Sequence, residues 1–73
     1  MNTVKFAECM KQNMKVNGLT TEALAGLTGI PVTRLKEYES GEFIARSDEI
    51  YAIGKALGVP PLILMHGGGT III

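Results

Sequence analysis

The sequence predicts an all-α fold of five short helices in a single small domain of 73 residues. Two observations support this fold class. Apolar residues recur three or four positions apart, which places them on one face of a helix. Glycine, asparagine and proline interrupt these runs at short intervals, as they do where helices end or begin. No strand is predicted before the C-terminal tail.

The first helix is predicted over Thr3–Val16, where Phe6, Met10 and Met14 recur at four-residue spacing. This spacing puts the three side chains on one buried face. The Asn-Gly pair at positions 17–18 ends the helix, because its glycine is free to adopt a left-handed conformation.

The second helix is predicted to begin after Thr20 and to run to Thr28. Thr20 is a suitable N-cap, and Glu22 places a negative charge in the first turn, where the helix dipole favours it. Gly29 then ends the helix and supplies a sharp turn.

The third helix is predicted from Val32 to about Ser40. Pro31 opens it without losing a needed backbone N–H, and Gly41 closes it. The segment "EFIAR" at 42–46 is predicted to be a loop.

The fourth helix is predicted over residues 48–57, with Ser47 as its N-cap and Gly58 after its end. A fifth helix of one or two turns, "PLILM", begins at the Pro60-Pro61 pair. Beyond it, "HGGG" is predicted to be a hinge and "TIII" an apolar, β-prone end. The side chains of the fourth helix that are expected to face inward are Ile50, Ile53, Ala56 and Leu57.

The composition indicates a mainly aliphatic core and an association between chains. Hydrophobic residues make up 47% of the chain, yet it has only two Phe, two Tyr and no Trp. So high an apolar content in so short a chain suggests that some apolar surface is buried in a dimer. The single Cys9 excludes an internal disulfide, and lone thiols are usual in a reducing cytoplasm. The sequence has neither a signal peptide nor a membrane span. We therefore expect a cytoplasmic protein with no membrane partner.

The charge balance argues against strong nucleic-acid binding. Seven basic and seven acidic residues give a formal net charge of zero, whereas phosphate contacts require Lys and Arg. Catalysis, metal binding and cofactor binding are not expected either, because Cys9 and His66 have no companions at ligand or nucleophile spacing. Cys9 is instead expected to be a small buried hydrophobic residue.

The segments "LTTEALAGLTGIPVTRLKEYESG" (19–41) and "SDEIYAIGKALGVPPLILM" (47–65) resemble the Cro and lambda-type repressor family. The resemblance covers about residues 6–65 without a gap, and "LAGLTGIP" followed by "YESG" is similar to the short repressors of temperate phages. It implies a five-helix lambda-repressor-like DNA-binding domain at residues 1–66, with a helix-turn-helix in its second and third helices. Residues 67–73 would then form a Gly-rich hinge and a short, flexible apolar tail.

By this resemblance the third helix is the recognition helix. Its helical spacing puts Val32, Thr33, Lys36 and Glu37 on one outward arc, whereas Leu35 and Tyr38 fall on the opposite arc and are expected to pack inward. The four residues of the outward arc could contact thymine methyl groups, guanine or cytosine in a major groove. Thr21 matches a family position that commonly contacts a phosphate. We therefore expect Thr21 and the four outward residues to contact double-stranded operator DNA. None of them offers two hydrogen-bonding groups to one base, as Arg, Gln or Asn does. Lys36 and Glu37 are also consistent with a solvated surface pair.

Two further differences from the family pattern stand out. Many members carry Arg at the position of Met14, paired with the Glu that matches Glu39, so Glu39 must here find water, a backbone donor or another partner. The loop after Gly41 is often basic in the family, but here it is one acid followed by apolar residues. Such a loop suits a protein contact better than a phosphate contact.

Two functions are therefore predicted. The first is a repressor-like regulator of phage or prophage type that binds a palindromic operator as a homodimer. The alternative is a modulator or antirepressor of the same fold, which binds another helix-turn-helix repressor and blocks its DNA binding. The side chains predicted to form protein interfaces are Phe43, Ile44, Leu62, Ile63 and Met65.

Overall fold

The computed structural model describes residues 2–65, and within that range the secondary structure is entirely helical. This confirms the predicted all-α fold class. The predicted hinge and tail, together with His66, lie outside the described residues. The five helices are α1 (Thr3–Val16), α2 (Thr21–Thr28), α3 (Val32–Glu39), α4 (Ser47–Leu57) and α5 (Pro61–Met65).

The helix ends follow the local sequence closely. The Thr20 side chain accepts a hydrogen bond from the Ala23 backbone N–H at 3.1 Å, which confirms the predicted N-cap of α2. Gly29 ends α2 with a φ of 77°, a left-handed conformation that a side chain would strain. The turn is tied further by the Thr28 hydroxyl, which donates to the Leu24 carbonyl at 2.8 Å.

The predicted start of α4 was wrong by one position. The N-cap residue is Arg46, and Ser47 is already the first helical residue. The reason is that the Arg46 carbonyl accepts the first helical hydrogen bond, from the Ile50 N–H at 2.8 Å. No side-chain cap forms at this end, and the Arg46 guanidinium instead reaches Asp48 at 3.5 Å.

The core lies where α1, α2, α3 and α4 converge, with α5 closing it against α1 and α4. It is mostly aliphatic, as expected, but an aromatic pair is part of it. Phe6 and Tyr38 meet edge to face with ring centroids 6.2 Å apart. Full burial of each large apolar side chain stabilises the fold by about 1.5–3 kcal/mol. The largest fully buried side chains are Phe6, Met10, Leu24, Leu35, Ile53 and Leu64.

Two contacts fix the C-terminal end of α4. The Asn17 side chain, just after α1, donates to the Leu57 carbonyl at 3.3 Å and so joins the ends of the two helices. Gly54 lies against the turn into α5, where its carbonyl accepts from the Val59 N–H at 2.9 Å. A Cβ atom at position 54 would lie 2.6 Å from the Val59 carbonyl oxygen, so only glycine fits there without a shift of the backbone.

Candidate nucleic-acid interface

The outward face of α3 carries three exposed side chains that the sequence predicted to contact DNA. Thr33, Lys36 and Glu37 are all exposed, and together they span little more than one turn of the helix. Val32 was predicted to share this face fully, but it is partly buried and lies at the edge of the face. The face therefore presents one hydroxyl, one cation and one carboxylate.

The inward face of α3 is held by packing and by a polar cluster. Leu35 and Tyr38 are buried, as the helical spacing predicted. The Tyr38 hydroxyl donates a hydrogen bond to Glu49 Oε1, and Arg34 Nη1 lies 2.9 Å from Glu49 Oε2. Glu49 is only 8% exposed, so its carboxylate depends on these two donors. Tyr38, Glu49 and Arg34 thus form a three-residue cluster that fastens α3 to the start of α4.

The cluster also affects protonation. Burial, followed by the hydrogen bond to Glu49, raises the pKa of the Tyr38 phenol. The hydrogen bond to Glu49 raises the pKa of Arg34, whose guanidinium therefore stays charged. Arg34 is thus committed to an intramolecular partner rather than to the outward face of α3.

The cluster of Tyr38, Glu49 and Arg34 was not predicted from the sequence. One signal was available. A tyrosine expected to pack inward needs a partner for its hydroxyl, and this partner is usually a polar group on a neighbouring element. The first turn of α4 contains Asp48 and Glu49, but the sequence alone does not show which carboxylate turns inward.

Thr21, the predicted phosphate contact, is the first residue of α2 and lies beside the last residue of α3. Its hydroxyl donates to Glu39 Oε2 at 2.8 Å, and both side chains are partly buried. Glu39 thereby has the partner that the sequence left open.

The predicted protein-contact residues lie in two separate segments. In the loop between α3 and α4, Phe43 is 45% exposed and Ile44 is 74% exposed, whereas Ala45 is buried. In α5, Leu62 is 60% exposed and Met65 is exposed.

The other residues of α5 divide differently. Ile63 is only partly buried, and Leu64 fills the core. Within residues 2–65, α5 therefore leaves part of its apolar surface uncovered.

Groups that would support other kinds of site are not assembled in the described part of the chain. Within residues 2–65, no three His, Cys, Asp or Glu side chains lie close enough together to hold a metal ion. None of the helices in that range has the length and apolar character needed to traverse a bilayer. Cys9 is buried, as predicted, and burial raises the pKa of its thiol.

The α2–turn–α3 unit exposes one face of α3 and anchors the other in the core. This arrangement agrees with the comparison of this chain with known families. A family model described as helix-turn-helix matches residues 10–64, from the second half of α1 through most of α5. The chain belongs to the XRE-type helix-turn-helix family. Members of this family are DNA-binding transcription regulators rather than enzymes, and this chain is a regulator of that type. Comparison with curated proteins gives no match.

Proposed function

We propose that the protein is a repressor-like regulator of phage or prophage type, which binds a palindromic operator as a homodimer through α3. The observation that carries the proposal is the two-sided character of this helix. Its inner face is fastened by Leu35, Tyr38 and the Glu49 cluster, while Thr33, Lys36 and Glu37 point outward. A recognition helix needs both a fixed orientation and free side chains.

The outward side chains have a defined chemistry towards base edges. Lys36 can donate to guanine O6 or N7, and Glu37 can accept from the cytosine N4 amino group. The Thr33 methyl group can contact a thymine methyl, as can Val32 at the edge of the face. These contacts together give modest sequence specificity. Two copies of the domain on adjacent half-sites would double the number of base contacts.

Gel-shift assays on the upstream region of the protein's own gene test this proposal. Lys36→Ala should relax discrimination at one base pair by about 1–3 kcal/mol if Lys36 contacts guanine. Lys55→Ala, at an exposed lysine of α4, is the matched control and should leave the preference unchanged. Equal base preferences for Lys36→Ala and the unsubstituted protein would place Lys36 among ordinary surface residues.

Support for a dimer comes from the exposed apolar side chains of α5. Leu62 is 60% exposed, and a monomer gains nothing from leaving it and Met65 in water. Leu62→Glu should therefore shift the protein to a monomer in sedimentation without changing its helix content. Leu27→Glu, at an exposed leucine of α2 with 62% exposure, is the control and should leave the dimer intact. A monomer at high micromolar concentration before any substitution would refute the dimer.

A second function is favoured by the loop between α3 and α4. Phe43 and Ile44 lie directly after α3, in a loop whose only acidic residue is the exposed Glu42. An exposed aromatic residue beside a carboxylate suits the recognition surface of another helix-turn-helix regulator, which is basic. Binding there would cover the partner's DNA-contacting surface and relieve repression.

This antirepressor function can be separated from operator binding by one substitution. Phe43→Ala should weaken the complex with a purified helix-turn-helix regulator from the same gene neighbourhood by at least about 2 kcal/mol, as expected of an aromatic hot spot. Leu27→Ala provides a control at an apolar residue of α2 that is more exposed than Phe43. If Phe43→Ala abolishes operator binding and no complex with the regulator forms, the antirepressor function is excluded and the DNA-binding function stands.

A further inference from the structure

The contact between α2 and α3 at Thr21 and Glu39 bears on how tightly the domain holds DNA. Thr21 Oγ1 and Glu39 Oε2 are 2.8 Å apart, at the start of one helix and the end of the other. The ion pairs among residues 2–65 join Arg34 to Glu49 and Arg46 to Asp48, so neither cation neutralises Glu39. A carboxylate without a cationic partner therefore lies beside the hydroxyl that is expected to meet a phosphate.

The Thr21 hydroxyl has one proton, and both a carboxylate and a phosphate oxygen can only accept it. In the free domain this proton is donated to Glu39. A DNA phosphate would have to break a charge-assisted hydrogen bond before it could form its own.

The charge of Glu39 acts in the same direction. A phosphate oxygen within hydrogen-bonding distance of Thr21 would approach the Glu39 carboxylate to within several ångströms. Two like charges at such a separation repel each other even in a water-like dielectric, and added salt weakens the repulsion.

We propose that Glu39 sets the affinity of this domain for DNA by retaining the Thr21 hydroxyl and repelling the adjacent phosphate. Glu39 is thus an affinity-determining residue that touches no base. This inference rests on the proposed DNA-binding surface. It implies that Glu39, together with the small number of basic residues, gives the domain a low affinity for DNA and lets it dissociate readily.

The deciding variant is Glu39→Gln, because the Gln side-chain oxygen can still accept from Thr21 while the negative charge is removed. Its binding to a fluorescent duplex of about 20 bp and mixed sequence, at about 50 mM salt, reports phosphate contacts without knowledge of the operator. We expect about three- to tenfold tighter binding than for the unsubstituted protein, from the loss of one like-charge repulsion. The gain should shrink as salt is raised.

Two control variants separate this local effect from a change in net charge or in folding. Glu8→Gln, at an exposed residue of α1 rather than of α2 or α3, makes the same change in net charge and should leave binding within about twofold of the unsubstituted protein, since water and salt screen an exposed charge. Thr21→Val should also change binding less than about twofold in the unsubstituted background, because the hydroxyl is already engaged there. In the Glu39→Gln background the hydrogen bond from Thr21 goes to a neutral amide oxygen and is weaker, so a phosphate can compete for the hydroxyl, and Thr21→Val should reverse a measurable part of the gain.

The inference is overturned if Glu39→Gln binds no more tightly than the unsubstituted protein, or if Glu8→Gln tightens binding equally. It is also overturned if Thr21→Val alone weakens binding severalfold while helix content stays the same, since the hydroxyl would then already contact phosphate. In each of these cases the unsubstituted protein still binds duplex DNA and the proposed function survives. If neither the unsubstituted protein nor Glu39→Gln binds DNA at low salt, both the inference and the proposed function fall.

Discussion

Replacing Tyr38 by Phe removes a single hydroxyl from the cluster that fastens α3 and leaves the ring against Phe6 in place. The hydroxyl donates to Glu49, which is 8% exposed and whose other side-chain donor within residues 2–65 is Arg34. A hydrogen bond to a charged group contributes about 1.5–3 kcal/mol, and the loss falls at the upper end when the acceptor stays buried.

The loss would be large for so small a protein. A chain of this length has a free energy of unfolding of roughly 4–11 kcal/mol. A decrease of about 2 kcal/mol should lower the melting temperature by on the order of 10 °C. Urea unfolding followed by far-UV circular dichroism measures the change directly, and Tyr51→Phe is the matched control because Tyr51 is 66% exposed.

The same variant has a distinctive pH dependence. The fold raises the pKa of Tyr38 above the value of about 10 expected in the unfolded chain. The contribution of the protonated hydroxyl is therefore complete below pH 10 and is lost as the pH rises further. The stability difference between the unsubstituted protein and Tyr38→Phe should narrow above pH 10. A loss below about 0.5 kcal/mol near neutral pH, no larger than a neutral surface substitution, would refute the reasoning about Glu49.

Three other predictions concern stability and reactivity. Gly54→Ala should destabilise the fold by about 1–3 kcal/mol in urea unfolding, because its Cβ would lie 2.6 Å from the Val59 carbonyl oxygen; unchanged stability would mean that the turn into α5 yields easily. Thr20→Ala should cost about 1 kcal/mol through loss of the α2 cap, and Thr20→Ser should restore most of it. Burial raises the pKa of the Cys9 thiol, so a disulfide reagent should modify it far more slowly in the folded protein than in urea; equal rates would contradict its burial.

Much of the fold was predictable because short-range rules determine it. The helix ends depend on residues with special backbone freedom or capping ability, and such residues act within one turn of their own position. The apolar face of α1 and the inward residues Leu35 and Tyr38 followed from helical spacing alone. The start of α4 was predicted one residue too late because serine is a frequent N-cap residue. In the structure the carbonyl of the preceding residue, Arg46, accepts the first hydrogen bond of the helix instead.

The candidate interface was predictable in its exposed part and not in its buried polar part. Helical spacing assigns Thr33, Lys36 and Glu37 to one face without any knowledge of tertiary structure. The partner of Glu39 lies 18 residues away in sequence and the two partners of Glu49 lie 11 and 15 residues away, all on other helices. Which cation or hydroxyl they meet depends on the angles at which helices cross, and a single sequence contains no direct record of those angles.

Anchoring α3 from its inner face has a consequence for how such a protein can diverge. Because Leu35, Tyr38 and the Glu49 cluster fix the helix, the exposed positions 33, 36 and 37 contribute little to holding it in place. Substitutions there should have small stability costs and should combine almost additively. A lineage could therefore replace all three residues without passing through an unfolded intermediate, and acquire a new binding partner while the scaffold remains under unchanged selection.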